Sequence, residues 1–173
     1  MIDKTTLKVT LSCIALGALS RLLPHPANVT PVTAMALLGG AYLTRGQALV
    51  LPLAVLFLSD LVLGLHGTIP FVYASFLATA MLGQVLKRKM TAGTTMAACL
   101  GGTAILFVVS NFGVWLTSGM YTRDASGLAA CYAAALPFLR NSLIGDVAYT
   151  ALLFGIERAS LGYFAAKPVP AAA

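Results

Sequence analysis

Asp60, Arg140 and Asp146 stand inside apolar runs, in "LFLSDLVLGLHG" and "LPFLRNSLIGD". An ionisable side chain among such neighbours is costly; it is kept where it meets an opposite charge, faces a cavity or moves a proton. Asp60 and Arg140 have opposite signs and fall near the same end of their runs. The expected contact is an ion pair between them, which can lock two helices, hold a ligand, or do both. Asp146 follows Arg140 by about 9 Å along a helix. With Ser142 and Tyr149 it shares the i, i+4, i+7 spacing of one helical face. Two roles are open to it, a hydrogen-bonded buried acid or a proton relay.

Other polar residues cluster around turns. "RLLPHPANVTP" (21–31) sets His25 between prolines, as a structural loop residue, a ligand contact or a metal ligand. One histidine does not make a metal centre. Cys13, Cys99 and Cys131 are distant and odd in number, which supports neither a disulfide framework nor a zinc site. Asn111 and Trp115, in "SNFGVWLTSGMY", are four apart. The tryptophan is either an interfacial anchor or part of the wall of a cavity. His66, in "GLHGT", reads as a turn residue. No GxxxxGK[ST], HExxH or GxSxG is present, so the familiar routes to nucleotide, zinc-peptidase and serine-hydrolase chemistry are absent. No nucleophile–base pair stands at a recognisable spacing. The expectation is a protein that is not an enzyme and carries no cofactor. The rivals are an intramembrane enzyme using Asp60 or His25, and a structural subunit of a membrane complex.

The elements that must position these residues follow from composition. Of 173 residues, 59% are hydrophobic and only 9% charged, with mean hydropathy +0.90; soluble domains carry about 25% charged residues. The chain is expected to lie in a lipid bilayer as one domain, 1–173. A span takes roughly 20 apolar residues, and six candidates are found, at about 6–23, 31–44, 48–65, 69–86, 92–117 and 137–157. The first lacks a small-residue cleavage site and reads as a retained helix. The sixth is set to begin at Pro137, in a first turn where the missing N–H costs little, leaving 118–136 as a loop with a short helical piece. Gly39–Gly40, the Gly93/Ala97/Gly101 and Ala98/Gly102 series, and Cys13, Ala15, Gly17 and Ala18 offer surfaces for close helix approach.

The net charge of +6 comes from cations at the ends of apolar runs, a topology signal that gives no reason to expect nucleic acid. Lys4, Lys8, Arg45, Lys87, Arg88, Lys89, Arg158 and Lys167 fall on one side; Arg21 and Arg123 fall on the other. The positive-inside rule then places both termini in the cytoplasm, and the tail "AAKPVPAAA" is expected to fray. The outer connections (24–30, 66–68 and 118–136) hold His25, Asn28, His66, Tyr121 and Arg123. The outer ends of the spans hold Asp60, Tyr73, Asn111, Trp115, Arg140 and Asn141. An outward-facing polar cavity gathers them.

The stretches "RLLPHPANVTPVTAMALLGGAYL", "LSDLVLGLHGTIPFVYASF" and "LPFLRNSLIGDVAYTALLFG" resemble a family of small bacterial inner-membrane proteins. That family is similar to the substrate-binding S-components of energy-coupling-factor (ECF) vitamin transporters, most of all the solitary cobalamin-uptake type. The resemblance implies an all-α six-helix transmembrane bundle, cytoplasmic termini and a deep pocket covered by the first, third and fifth loops. It implies uptake of a vitamin-like small molecule, cobalamin or a related corrinoid foremost, with His25, Asp60, Tyr73 and Arg140 as ligand contacts. In the cobalamin type a cysteine near the third outer loop can bind the cobalt; Tyr73 occupies that region here, which leaves His25 as the cobalt ligand if cobalamin is the substrate. The shared-module class carries alanines four apart on its first helix. This chain has no clean version of that pattern, so an ECF energising module stays open as a partner.

Overall fold

The computed structural model describes residues 3–166; of the tail expected to fray, Ala165 and Ala166 are the last residues of the sixth helix, and 167–173, Lys167 among them, lie outside the described residues. Six helices follow one another: α1 (Lys4–Ser20), α2 (Val32–Tyr42), α3 (Arg45–Leu63), α4 (Ile69–Leu86), α5 (Ala92–Thr117) and α6 (Ala125–Ala166). The fold is all-α. Helices α3 to α6 are each long and apolar enough to cross a membrane, so the chain is a multi-spanning membrane protein. Several helix ends are written in the sequence. Asp3 caps α1 by accepting from the Thr6 N–H (2.9 Å). Thr91 and Thr94 exchange side-chain and backbone hydrogen bonds at the start of α5, a reciprocal cap. Gly64, at φ 102°, ends α3 in a conformation that a side chain would strain.

The centre of the bundle is its shortest helix. α2 has 11 residues, about 16 Å, roughly half of a hydrocarbon core. Every residue from Val32 to Ala41 is buried, and α2 touches all five other helices. A helix apolar around its whole circumference belongs inside. Its closest crossing is with α4. A Cβ at Gly40 would lie 2.1 Å from the Ala80 carbonyl oxygen, and one at Gly83 would lie 2.5 Å from that of Leu37. Gly17 on α1 makes room for the Met35 side chain in the same way (2.9 Å). On α5 only the Ala98/Gly102 series is buried. Gly102 faces Thr33 and Thr79, whereas Gly93 is exposed.

α6 departs from expectation. It begins at Ala125 and runs unbroken for 42 residues with Pro137 inside it, so the loop expected at 118–136 shrinks to 118–124. Two anchorages on α5 explain how the proline is tolerated. Before Pro137, the Cys131 thiol points to the Asn111 carbonyl (3.5 Å) and the Tyr132 hydroxyl donates to the Val108 carbonyl (2.6 Å). After it, Thr103 donates to Asp146 (2.6 Å). The path from Cys131 to Asp146 is about 22 Å of helix, while that from Asn111 to Thr103 is about 12 Å. α6 therefore takes the longer route. Pro137, which removes a ladder hydrogen bond and crowds the preceding turn, lies in the middle of it.

Lys4, Lys8, Arg45, Lys87, Arg88, Lys89 and Arg158 share one end of the bundle, where Lys87 donates to the carbonyl of Leu43 at the end of α2. Arg21, Arg123 and Arg140 lie towards the other end.

Candidate functional site

At the cation-poor end, segments from four parts of the chain meet. The 21–31 connection descends from α1 into the bundle before α2 starts, and α6 receives it. Val29 and Thr30 pack on Gly145, whose Cβ would come within 2.9 Å of the Val29 backbone. The Asn141 side chain donates to the Ala27 carbonyl (3.0 Å). Asn28 turns the chain with φ 64°, a left-handed conformation that asparagine tolerates better than most residues. Between this loop, the α3–α4 turn, α5 and α6 lies a cavity of about 200 Å³. Arg21, His66, Thr103, Ser110, Asn111 and Ser142 supply its polar wall. The Asn111 side-chain N–H donates to the Phe107 carbonyl (2.8 Å), which leaves its amide oxygen as an acceptor. His66 is held by a ring-nitrogen contact with the Thr68 hydroxyl (2.7 Å).

The ion pair beside this cavity is not the expected one. Asp60 pairs with Arg21 at 2.7 Å, and its other oxygen accepts from the Tyr73 hydroxyl at 2.8 Å. Arg21 also donates to Ser59. The expected Asp60–Arg140 pair is corrected: Asp60 is taken by Arg21, and Arg140 is exposed on α6. Arg21 is carried to Asp60 because α1 ends at Ser20 and Arg21 forms its C-cap, directing a long side chain across to α3. Both Asp60 oxygens are thus engaged, which speaks against this carboxylate as a free acid or base.

The remaining expected residues divide. Tyr73 meets Asp60, and Asn111 lines the cavity. Asn141 pins the first loop. Trp115 donates to the Thr122 carbonyl (2.9 Å) and packs on Phe112, ring centroids 5.4 Å apart, so it braces the α5–α6 turn. Tyr121 is half-buried in that turn. His25 is exposed, with its ring N–H on the Pro26 carbonyl (3.0 Å). No group of three or more metal-ligating side chains occurs among the described residues. Asp124 caps α6, accepting from the Gly127 N–H (2.7 Å), Ser126 (2.7 Å) and Thr122 (2.9 Å). These bonds, the Gly127 N–H first, hold its carboxyl below the usual carboxylate range.

Two groups the sequence did not flag as site residues matter here. Arg21 looks like an ordinary cation closing a span; only its position immediately after α1 distinguishes it. Glu157, adjacent to Arg158 near the end of the last apolar run, is fully buried and accepts from Thr10 at 2.7 Å. A signal existed: Asp146 and Glu157 are three helical turns apart and so lie on one face.

A family model described as a family of unknown function (DUF6580) matches residues 2–166. No curated protein and no solved structure matches the chain.

Proposed function

The chain belongs to the DUF6580 family, and on its geometry we propose that it is a membrane-embedded binding and uptake protein for a small polar solute entering at the cation-poor end. One observation carries the reading. Within a bundle that is otherwise apolar, Arg21, His66, Asn111, Ser110 and Ser142 converge on one cavity from four separate segments. A few placed polar groups in a concave site are what solute recognition requires. The grooves elsewhere on the bundle are largely apolar, such as the one between α5 and α6 lined by Met90, Met96 and Phe154, and suit lipid chains. The cation asymmetry supports a periplasmic position for the cavity and cytoplasmic termini in a bacterial inner membrane.

Size narrows the substrate. About 200 Å³ is below the roughly 300–1,000 Å³ of drug-sized ligand sites, and a corrinoid is larger again. In this conformation a cavity of that volume suits a compact vitamin-like or metabolite-sized molecule better than the cobalamin first expected. With Arg21 already neutralised by Asp60, a neutral or zwitterionic solute fits the wall best. The S-component likeness remains a proposal about mechanism, with solute release at the cytoplasmic face following movement of the first loop. The test is equilibrium binding to detergent-purified protein, with a panel of small vitamins and amino acids set beside cyanocobalamin and cobinamide. The expected result is saturable binding of a small solute, weakened at least tenfold by Asn111→Leu, and none by corrinoids. Tight corrinoid binding, or binding of small solutes that Asn111→Leu leaves intact, would overturn the proposal.

A further inference from the structure

The chain has five carboxylic side chains, and three are accounted for as anions. Asp3 and Asp124 are exposed caps at helix starts, and Asp60 is paired with Arg21 in the one ion pair among the described residues. Asp146 and Glu157 differ from all three. Asp146 is 2% exposed and Glu157 is 0% exposed, and neither has a cationic partner. Each has one hydroxyl donor on one oxygen, Thr103 for Asp146 (2.6 Å) and Thr10 for Glu157 (2.7 Å). The second Glu157 oxygen and the hydroxyl of Thr33 are buried without a well-formed hydrogen bond; Thr33 stands beside Asp146 and the Cys13 thiol beside Glu157 as further weak, uncharged donors.

A buried carboxylate with no countercharge costs several kcal/mol or more in an apolar interior, and such a group neutralises instead. The titratable neighbours do not change this. Cys99 on α5 is the one that faces Asp146. Cys13 on α1 and Tyr42 on α2 face Glu157, with Arg158 next to it in the chain but exposed. The two acids share one inward stripe of α6, about 16 Å apart, with Thr150, Leu153 and Phe154 on the same stripe. Asp146 lies below the polar cavity, reached through Thr103 in its wall. Glu157 lies behind a groove between α1 and α6 that contains Lys8, Ser12, Cys13 and Ser160. Asp146 is thus next to the polar cavity and Glu157 next to a largely apolar groove, towards opposite ends of the bundle, and apolar side chains separate them.

We propose that Asp146 and Glu157 are two proton-binding sites, one towards each end of the bundle, both protonated in this conformation. A change that brings water to either carboxyl would release its proton to that water and leave a carboxylate, so any such change is linked to proton binding. This inference rests on burial and pairing and stands whether or not the outer cavity takes a solute.

Infrared spectroscopy of the purified protein at neutral pH tests it directly, since a protonated carboxyl carries a C=O stretch separate from that of a carboxylate. Two such bands are expected. Asp146→Asn should remove one, Glu157→Gln the other, and Asp124→Asn neither. Should either variant fail to fold, Thr103→Val and Thr10→Val each delete one hydrogen bond and should move the corresponding band without removing it. Absence of protonated-carboxyl bands at neutral pH would overturn the proposal. So would their loss on adding sodium in place of potassium, which would mark a cation site.

Discussion

At the residue scale the decisive contact is Arg21–Asp60–Tyr73. With side chains 13% and 5% exposed, the pair is deep enough that removing one partner strands a charge, at a cost of about 3–5 kcal/mol. Asp60→Ala should therefore lower the thermal midpoint in detergent sharply. Joint replacement, Arg21→Met with Asp60→Leu, should recover much of that loss, because no charge is left alone. Arg140→Ala, at an exposed position, should stay within about 0.5 kcal/mol of the parent; a large effect there would restore the pairing first expected from sequence. Asp124 gives a pH prediction with a definite sign. Its folded carboxyl is held low by the Gly127 N–H and its neighbours, so its contribution is complete above the ordinary carboxylate range and is lost as pH falls through the lowered value. Amide exchange in the first turn of α6 should accelerate there, and Asp124→Ala should remove that acid dependence. The sequence disclosed that Asp60 needed a partner, but not which one. Two arginines of equal charge lay at the same end, and which of them reaches Asp60 is decided by how α1 and α6 pack against α3, a tertiary effect.

At the element scale the bundle depends on two glycines. Gly40 and Gly83 let α2 and α4 cross backbone to backbone, and a methyl at either would meet carbonyl oxygens, which have no rotamer to escape into. Overpacking of this kind costs about 1–3 kcal/mol and occasionally more. Gly40→Ala and Gly83→Ala should both destabilise the fold, whereas Gly155→Ala, with open space around its Cβ position, should be neutral or slightly stabilising. Parallel unfolding curves for the three variants check this; equal effects would mean the crossing is not a point of close packing. Apolar runs made the helices readable in the sequence, and Gly39–Gly40 marked the second as a place for close packing or a broken helix, of which the structure has the first. The start of α6 was not readable. A proline after an alanine-rich stretch reads as a first turn, and what keeps the helix going through Pro137 is its two anchorages on α5, which no local pattern reveals.

At the scale of the whole molecule, charge and shape point the same way. The cation-rich end carries the KRK run at 87–89, the Lys87 tie to Leu43 and the Glu157 stripe, whereas the opposite end carries the polar cavity and an exposed prolyl loop. On the proposed orientation the positive-inside rule keeps the first end in the cytoplasm, and a solute would arrive at the second. All three native cysteines are buried, which makes labelling of exposed sites clean. His25→Cys should react with a membrane-impermeant maleimide in cells whose outer membrane alone has been opened. Arg88→Cys should react only after the inner membrane is breached. If Arg88→Cys labels first, the cavity opens to the cytoplasm. Uptake from outside through it would then be ruled out, whereas the burial of Asp146 and Glu157, and the proton chemistry argued from it, would be unaffected, since neither depends on which end faces the cell interior.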